Sequence, residues 1–169
     1  NSLKPALFYE KLRGGIMAKT AAVSPETMTR IFTNVLEQGD DLLYIAFSSG
    51  LSSTYQNACI ARDELAEKYP DQKILCVDSL CASLGEGLLL DLVLRKAKEG
   101  ADVGELAAYA EEIRVHVCHY FTVDDLNHLY RGGRVSKTTA LFGTMLGIKP
   151  VMHVDNEGHL IPIGKVRGR

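Results

Sequence analysis

Little in this sequence points to a strongly charged partner. Its 169 residues carry 19 basic against 21 acidic side chains, a net charge of −2, so there is no broad positive field for nucleic acid or an anionic membrane surface to meet. Long apolar runs are missing too: Leu88 to Leu90 and Ile148 to Val154 stop well short of the roughly 20 residues that a membrane span requires. Cysteine is scarce. Cys59, Cys76, Cys81 and Cys118 stand in apolar surroundings with no CxxC spacing, which argues against a disulfide framework or a zinc site and fits buried, reduced thiols in a cytoplasmic protein. What is present suits a packed core: 46% apolar and 24% charged residues set aside disorder and low complexity. The chain begins at Asn1 and ends at Gly168 and Arg169, directly after a strand-like stretch, so a fragment of a longer protein is expected.

The order of elements reads as alternating strands and helices. Pro5 to Leu12 predicts a short helix closed by Gly14 and Gly15, and Met17 to Val23 an extended stretch. Ser24 followed by Pro25 supplies a cap hydroxyl and a proline at the first helical position, and the helix it opens runs to about Gln38. Leu42 to Phe47 is apolar without alternation, the pattern of a strand covered on both faces. Tyr55, Ala58, Ala61, Leu65 and Tyr69 then recur at steps of three and four, the stripe of a helix. The unit repeats with a strand at Lys73 to Val77, a small-residue loop from Asp78 to Gly85 and a helix from Leu88 to Lys98. Asp102 and Glu105 form a capping box for another helix, and a strand is expected across Val115 to Val123. Beyond it come a helix at Asp124 to Tyr130, a glycine turn at Arg131 to Arg134, a helix at Lys137 to Leu146, and a hairpin pairing Ile148 to Val154 with His159 to Val166. The fold class is therefore α/β: a parallel α/β domain over residues 1–115, and over 116–169 the start of a second, α+β domain. No internal repeat is found.

Ser48-Ser49-Gly50-Leu51-Ser52-Ser53-Thr54 lies at the carboxyl end of a strand and opens a helix, which is where ligands bind in open α/β sheets. Unpaired backbone amides, the helix dipole and the hydroxyls together suit a carboxylate or a phosphate. Capping of the helix by Ser52, Ser53 or Thr54 explains the same residues without a ligand. There is no GxSxG elbow, and the five histidines lie far from the loop in sequence. His116 and His119 sit three apart in a stretch read as strand, which sends them to opposite faces, so no metal is expected there. His153 and His159 flank a turn and read as solvated or packed imidazoles. Arg131-Gly132-Gly133-Arg134 could grip a phosphate or an acidic surface, or be a solvated turn.

Several of these segments, in order, resemble the DegV family, which is similar to the fatty-acid-binding subunits of the bacterial fatty-acid kinase. Phe8 to Leu12 looks like the family's FYxxL helix, Lys19 to Pro25 stands where it has a TSQPSP-like stretch, and Ser48 to Gln56 looks like its SSxLSGTYQ loop. Val77-Asp78-Ser79 matches its VDS strand end, Leu129 to Val135 its LxxGGRI turn, and Ile148 to Val151 and Lys165 to Gly168 its IKP and KxRG stretches. The likeness covers nearly the whole chain.

The resemblance implies a two-domain carrier with no enzymatic activity, cofactor or metal of its own. It would bury one long-chain fatty acid and present the carboxylate near the domain interface to a separate kinase, which phosphorylates it. Thr20, Ser48 and Ser49 would hold the carboxylate, Arg134 would face the kinase, and Arg167 would approach the head group. Two positions depart from the pattern: Ala21 lacks a hydroxyl beside the head group, and Ser53 replaces a glycine. The family's earlier strand with an Asp-Ser-Thr-like loop and its later histidine-bearing segment are not in this chain. The physical chemistry agrees, because a buried carboxylate costs several kcal/mol unless donors replace its water, while each buried methylene returns about 0.8 kcal/mol. The alternatives are a serine hydrolase or phosphotransferase of small acids, which would need a general base beside the serines, and an oligomeric regulatory module without a ligand.

Overall fold

In the computed structural model, which describes residues 3–124, 126–141 and 148–167, the first apolar run becomes strand β1 (Leu42–Ala46). It lies parallel to β2 (Ile74–Asp78), with Leu42 opposite Ile74 and Ala46 opposite Asp78. The two-residue period of a strand divides these side chains between two faces. Leu42, Tyr44, Ile74 and Cys76 pack with Met28, Phe32 and Leu36 of α2 (Pro25–Leu36) and with Ala58, Ala61 and Leu65 of α3 (Thr54–Lys68). Leu43, Ile45 and Val77 face the other way, onto Leu89 and Val93 of α4 (Leu84–Lys98) and Ala110 of α5 (Val103–Ile113). Helices on both faces are what make each strand an unbroken apolar run.

Local chemistry sets the helix starts. The Ser24 hydroxyl accepts from the Thr27 amide at 3.3 Å, with Pro25 in the first turn. At α5 the capping box is complete: Asp102 accepts from the amides of Gly104 (2.7 Å) and Glu105 (3.0 Å), and the Glu105 carboxylate accepts from the Asp102 amide (2.9 Å). Those two backbone bonds, with Lys73 adding to them, hold the Asp102 carboxyl below its ordinary range. The first helix, α1 (Pro5–Arg13), buries none of its residues.

The second part is antiparallel. Strand β3 (Tyr120–Phe121) pairs with β4 (Ile148–Val154), which pairs with β5 (Leu160–Arg167) in the order β3-β4-β5, with an irregularity at Val151 and Met152. The β4–β5 turn is tied by Asp155, whose carboxylate accepts from the amides of Glu157 (3.1 Å) and His159 (2.7 Å), and Gly158 takes a left-handed φ of +80°. Helices α6 (Leu126–Arg131) and α7 (Lys137–Leu141) flank the glycine turn, and Leu126, Val135 and Met152 form a third apolar cluster. The helix expected to Leu146 is seen to Leu141; residues 142–147 lie outside the described residues.

Three expectations are corrected. The strand expected across Val115 to Val123 is only Tyr120–Phe121, because α5 tightens into a 3₁₀ turn at Arg114–His116 that the Arg114 side chain anchors on the Asp78 carbonyl at 2.7 Å. Helix α4 starts at Leu84 and not at Leu88: Gly85, which reads as the end of the loop, and Gly87 are both inside it. Of the four thiols, Cys76 and Cys81 are buried, but Cys59 is half-buried and Cys118 exposed. Burial pushes Cys76 up to about 12 and Cys81 up to about 11, which keeps both protonated.

Phe32 is 1% exposed and its ring lies 5.4 Å from that of Tyr44. Phe32→Ala is expected to lower the unfolding free energy by about 3–5 kcal/mol, measured by denaturant titration, with no change in the slope of the transition.

Candidate functional site

Two loops leave the carboxyl ends of the parallel strands, and backbone bonds run between them. The amide of Ser79 donates to Ala46, and that of Ser48 to Cys81. One Asp78 carboxylate oxygen accepts from the amides of both Ser49 and Leu80 at 3.1 Å. Asp78 thus serves as the tie between the serine loop and the loop that follows β2. That second loop is strained: Leu80 and Ser83 both take a φ of +53°, and Ser83 combines it with a ψ of −125°.

Ser48 is fully buried. Its hydroxyl donates to the Gly158 carbonyl at 2.8 Å and accepts from the Gly50 amide at 3.2 Å. The contact between the serine loop and the β4–β5 turn is close enough to demand glycine on both sides. A Cβ on Gly50 would meet the Glu157 carbonyl oxygen at 2.9 Å, and one on Gly158 would overlap the Ser48 hydroxyl.

Beside this contact lies a cavity of about 740 Å³, within the range of roughly 300–1,000 Å³ that ligand sites occupy. Its wall draws on both parts of the chain. Phe47, Leu51, Leu84, Leu88, Phe121 and Leu160 give it an apolar surface, and Thr20, Ser52, Ser83, His119, Tyr120 and Arg134 are among its polar members. Arg134 reaches it from the glycine turn, where its Nε donates to the Leu51 carbonyl at 2.9 Å and its Nη1 to the Gly132 carbonyl. Its guanidinium keeps further N–H groups beyond those two bonds. Arg131, the other arginine of that turn, is exposed and meets His128 instead, at 3.0 Å.

The residues singled out from sequence are therefore placed in three ways. Thr20 and Arg134 share the cavity wall. Ser48 and Ser49 are not part of it, Ser48 holding Gly158 and Ser49 held by Asp78 through its amide. Arg167 is exposed near the end of β5, opposite Ile148 and outside the wall. Of the two family departures, Ala21 is in the wall, so its missing hydroxyl changes the chemistry there, whereas Ser53 is exposed and outside it. Sequence reasoning passed over Ser52 and Ser83 as wall residues. Ser52 also accepts from the Thr54 amide at 3.2 Å, a local turn bond just before α3 that gives it a structural explanation on its own.

His119, which the sequence offers only as an ill-spaced metal candidate, sits in the cavity wall. It packs its Nε2 edge against Gly85, where a Cβ would overlap the ring. Burial lowers its pKa, and neighbouring His153 adds to that, against an opposing effect of the Val117 backbone. His153 itself stacks on Tyr120 with ring centroids 6.1 Å apart, and His159 lies 3.7 Å from Asp155. Among the described residues no cluster of three or more His, Cys, Asp or Glu is placed to hold a metal ion, and no helix is long and apolar enough to cross a membrane.

Over residues 1–169 the chain matches the family described as "Uncharacterised protein, DegV family". It is 46% identical along its whole length to a DegV domain-containing protein of Clostridium perfringens, covering 58% of that protein, and 41% identical over 94% of its length to one from Lactococcus lactis, covering 55%. Two solved structures are similar. One is a DegV family protein from Thermus thermophilus described for its fatty-acid binding (32% identity, TM-score 0.82, 98% of this chain and 57% of that one). The other, a DegV family protein from Ruminococcus gnavus, was refined with vaccenic acid (26% identity, TM-score 0.87, 99% of this chain and 59% of that one). The chain thus spans under two thirds of the length of these relatives.

Ser48→Ala leaves the Gly158 carbonyl without its donor and is expected to cost about 1–3 kcal/mol, whereas Ser49→Ala, which keeps the amide bond to Asp78, changes stability by about 0.5 kcal/mol or less. Chemical denaturation of the two variants separates them. The depressed pKa of His119 means that the unfolded chain takes up its proton more readily, so the stability linked to it is present above the ordinary histidine pKa and is lost as pH falls through that value toward the folded one. Thermal midpoints recorded from pH 7.5 to 5 are expected to fall more steeply in the parent than in His119→Phe.

Proposed function

Since the chain belongs to the DegV family, we propose that it binds one long-chain fatty acid in the 740 Å³ cavity and presents the carboxylate to a separate kinase for acyl-phosphate formation. The observation that carries this reading is the make-up of the wall, an apolar surface from two parts of the chain with a hydroxyl and a guanidinium set into it. Apolar walls stabilise the acyl chain by about 0.8 kcal/mol per buried methylene. The carboxylate requires donors, and Thr20 and Arg134 supply a neutral and a charged one on the same cavity. Each does a different part: the Thr20 hydroxyl holds the carboxylate, and Arg134, anchored on Leu51, places positive charge where a phosphoryl group would approach the head group.

In this reading Ser48 and Ser49 act on the head group through the loop they shape, and Arg167 approaches it from the β5 end. The division near Val115 separates the domain that supplies Thr20 and the serine loop from the domain that supplies Arg134. The bacterial relatives, together with thiols that form no disulfide, fit a protein of the bacterial cytoplasm. A hydrolytic role for Ser48 is disfavoured by its own bond, since the hydroxyl proton is directed at a backbone carbonyl and not at a base.

The test is a comparison of a long-chain fatty acid with its methyl ester, titrated into the delipidated protein. The acid is expected to bind and the ester to bind at least about tenfold more weakly, because the ester carries no negative charge to pair with the Arg134 guanidinium and offers a weaker acceptor. Thr20→Val, close in shape, is expected to weaken acid binding by about tenfold to a hundredfold and ester binding by less, since the ester carbonyl is the weaker acceptor of the hydroxyl. Equal affinity for acid and ester would contradict carboxylate recognition at this cavity.

A further inference from the structure

The Arg114 guanidinium is only half used. Its Nη1 donates to the Asp78 carbonyl at 2.7 Å, but its Nε is buried and has no hydrogen-bond partner among the described residues. Neither ring nitrogen of His119 meets hydrogen-bond geometry with a partner among the described residues, although the nearby Val117 backbone opposes the lowering of the imidazole pKa by burial. Arg114 and His119 both line a second, much smaller chamber of about 20 Å³, with Leu80, Val117, Asp155 and Asn156 among its other walls. The exposed surface of that chamber is mostly polar. His119 belongs to both cavities and forms part of the partition between them.

Buried donors and acceptors without partners are rare, because desolvation is then uncompensated. A guanidinium can only donate, while a neutral imidazole has one donor and one acceptor. A single molecule that accepts from the guanidinium and donates to the imidazole acceptor satisfies two of the three atoms. A water needs roughly 10–15 Å³ and two to four polar partners; a chamber of about 20 Å³ holds one and is too small for an oxyanion such as phosphate. Burial keeps the imidazole neutral, which preserves its acceptor nitrogen.

We propose that one ordered water occupies this chamber, accepting from Arg114 Nε and donating to a ring nitrogen of His119, and so fixes the tautomer and orientation of a residue that walls the larger cavity. Arg114 is then a positioning residue: it reaches the cavity wall only through the water and His119. Packing against Gly85 holds one edge of the ring, and the water supplies the polar restraint. The site stands whether or not the larger cavity takes an acyl chain.

A high-resolution crystal structure and ¹⁵N NMR of the histidine side chains test this directly. The expected result is an ordered water within hydrogen-bond distance of Arg114 Nε and one His119 nitrogen. Arg114→Lys keeps a cation for the Asp78 carbonyl but has no Nε; it is expected to lose the water and shift the His119 nitrogen resonances. The fall in thermal midpoint caused by Arg114→Lys should also shrink by about half or more in a His119→Phe background, where no imidazole takes the water's proton. A dry chamber, His119 resonances unmoved by Arg114→Lys, or an equal fall in both backgrounds would overturn the proposal.

Discussion

Ser48 donates its hydroxyl proton to the carbonyl of Gly158, 110 positions further along the chain, at 2.8 Å in a fully buried contact. Much of the site's geometry follows from that bond. It fixes how the serine loop at the end of β1 meets the β4–β5 turn, and the cavity is walled by residues on both sides of this junction, Leu51 and Ser52 from one and Val154 and Leu160 from the other. Close approach of backbones allows no side chain at Gly50 or Gly158. The constraint also decides which hydroxyls are available to a ligand, since a serine that satisfies a buried carbonyl cannot donate the same proton elsewhere.

The parts legible in the sequence are those governed by neighbours a few positions apart. Ser24 before Pro25, the Asp102–Glu105 capping box and the hairpin around Asp155 to Gly158 rest on short-range geometry, and each element forms where it is expected. The alternation of strands and helices likewise announces a parallel pair with helices on both faces. What could not be read depends on distant partners. The first turn of α4 contains two glycines and looks like loop; one of them, Gly85, makes room for His119, 34 positions away. The β-rich stretch from Val115 lost most of its strand because the Arg114 side chain binds the end of β2. A β preference states that a segment fits a sheet, and only the fold supplies the partner strand.

The candidate site divides along the same line. A serine-rich loop at a strand end marked the right neighbourhood, and Thr20 and Arg134, identified through motif positions, meet on one cavity. The roles within the loop were not separable, because Ser48, Ser49 and Ser52 differ only in what lies opposite them: a carbonyl, an aspartate that takes the amide, and a cavity. In the sequence His119 stands out only as half of a histidine pair ill-spaced for a metal, since its place in the cavity wall comes from burial and from contacts with distant residues. Membership of the DegV family accounts for the fold, and the relatives' greater length leaves room for further wall residues beyond those seen here.

The central claim is that the cavity holds one long-chain fatty acid. The most direct measurement is native mass spectrometry of the purified protein, with mass spectrometry of an organic extract from the same sample. The account predicts a single added mass that matches one fatty acid recovered in the extract at close to one equivalent per chain. Protein of bare mass that also takes up no added fatty acid would contradict it.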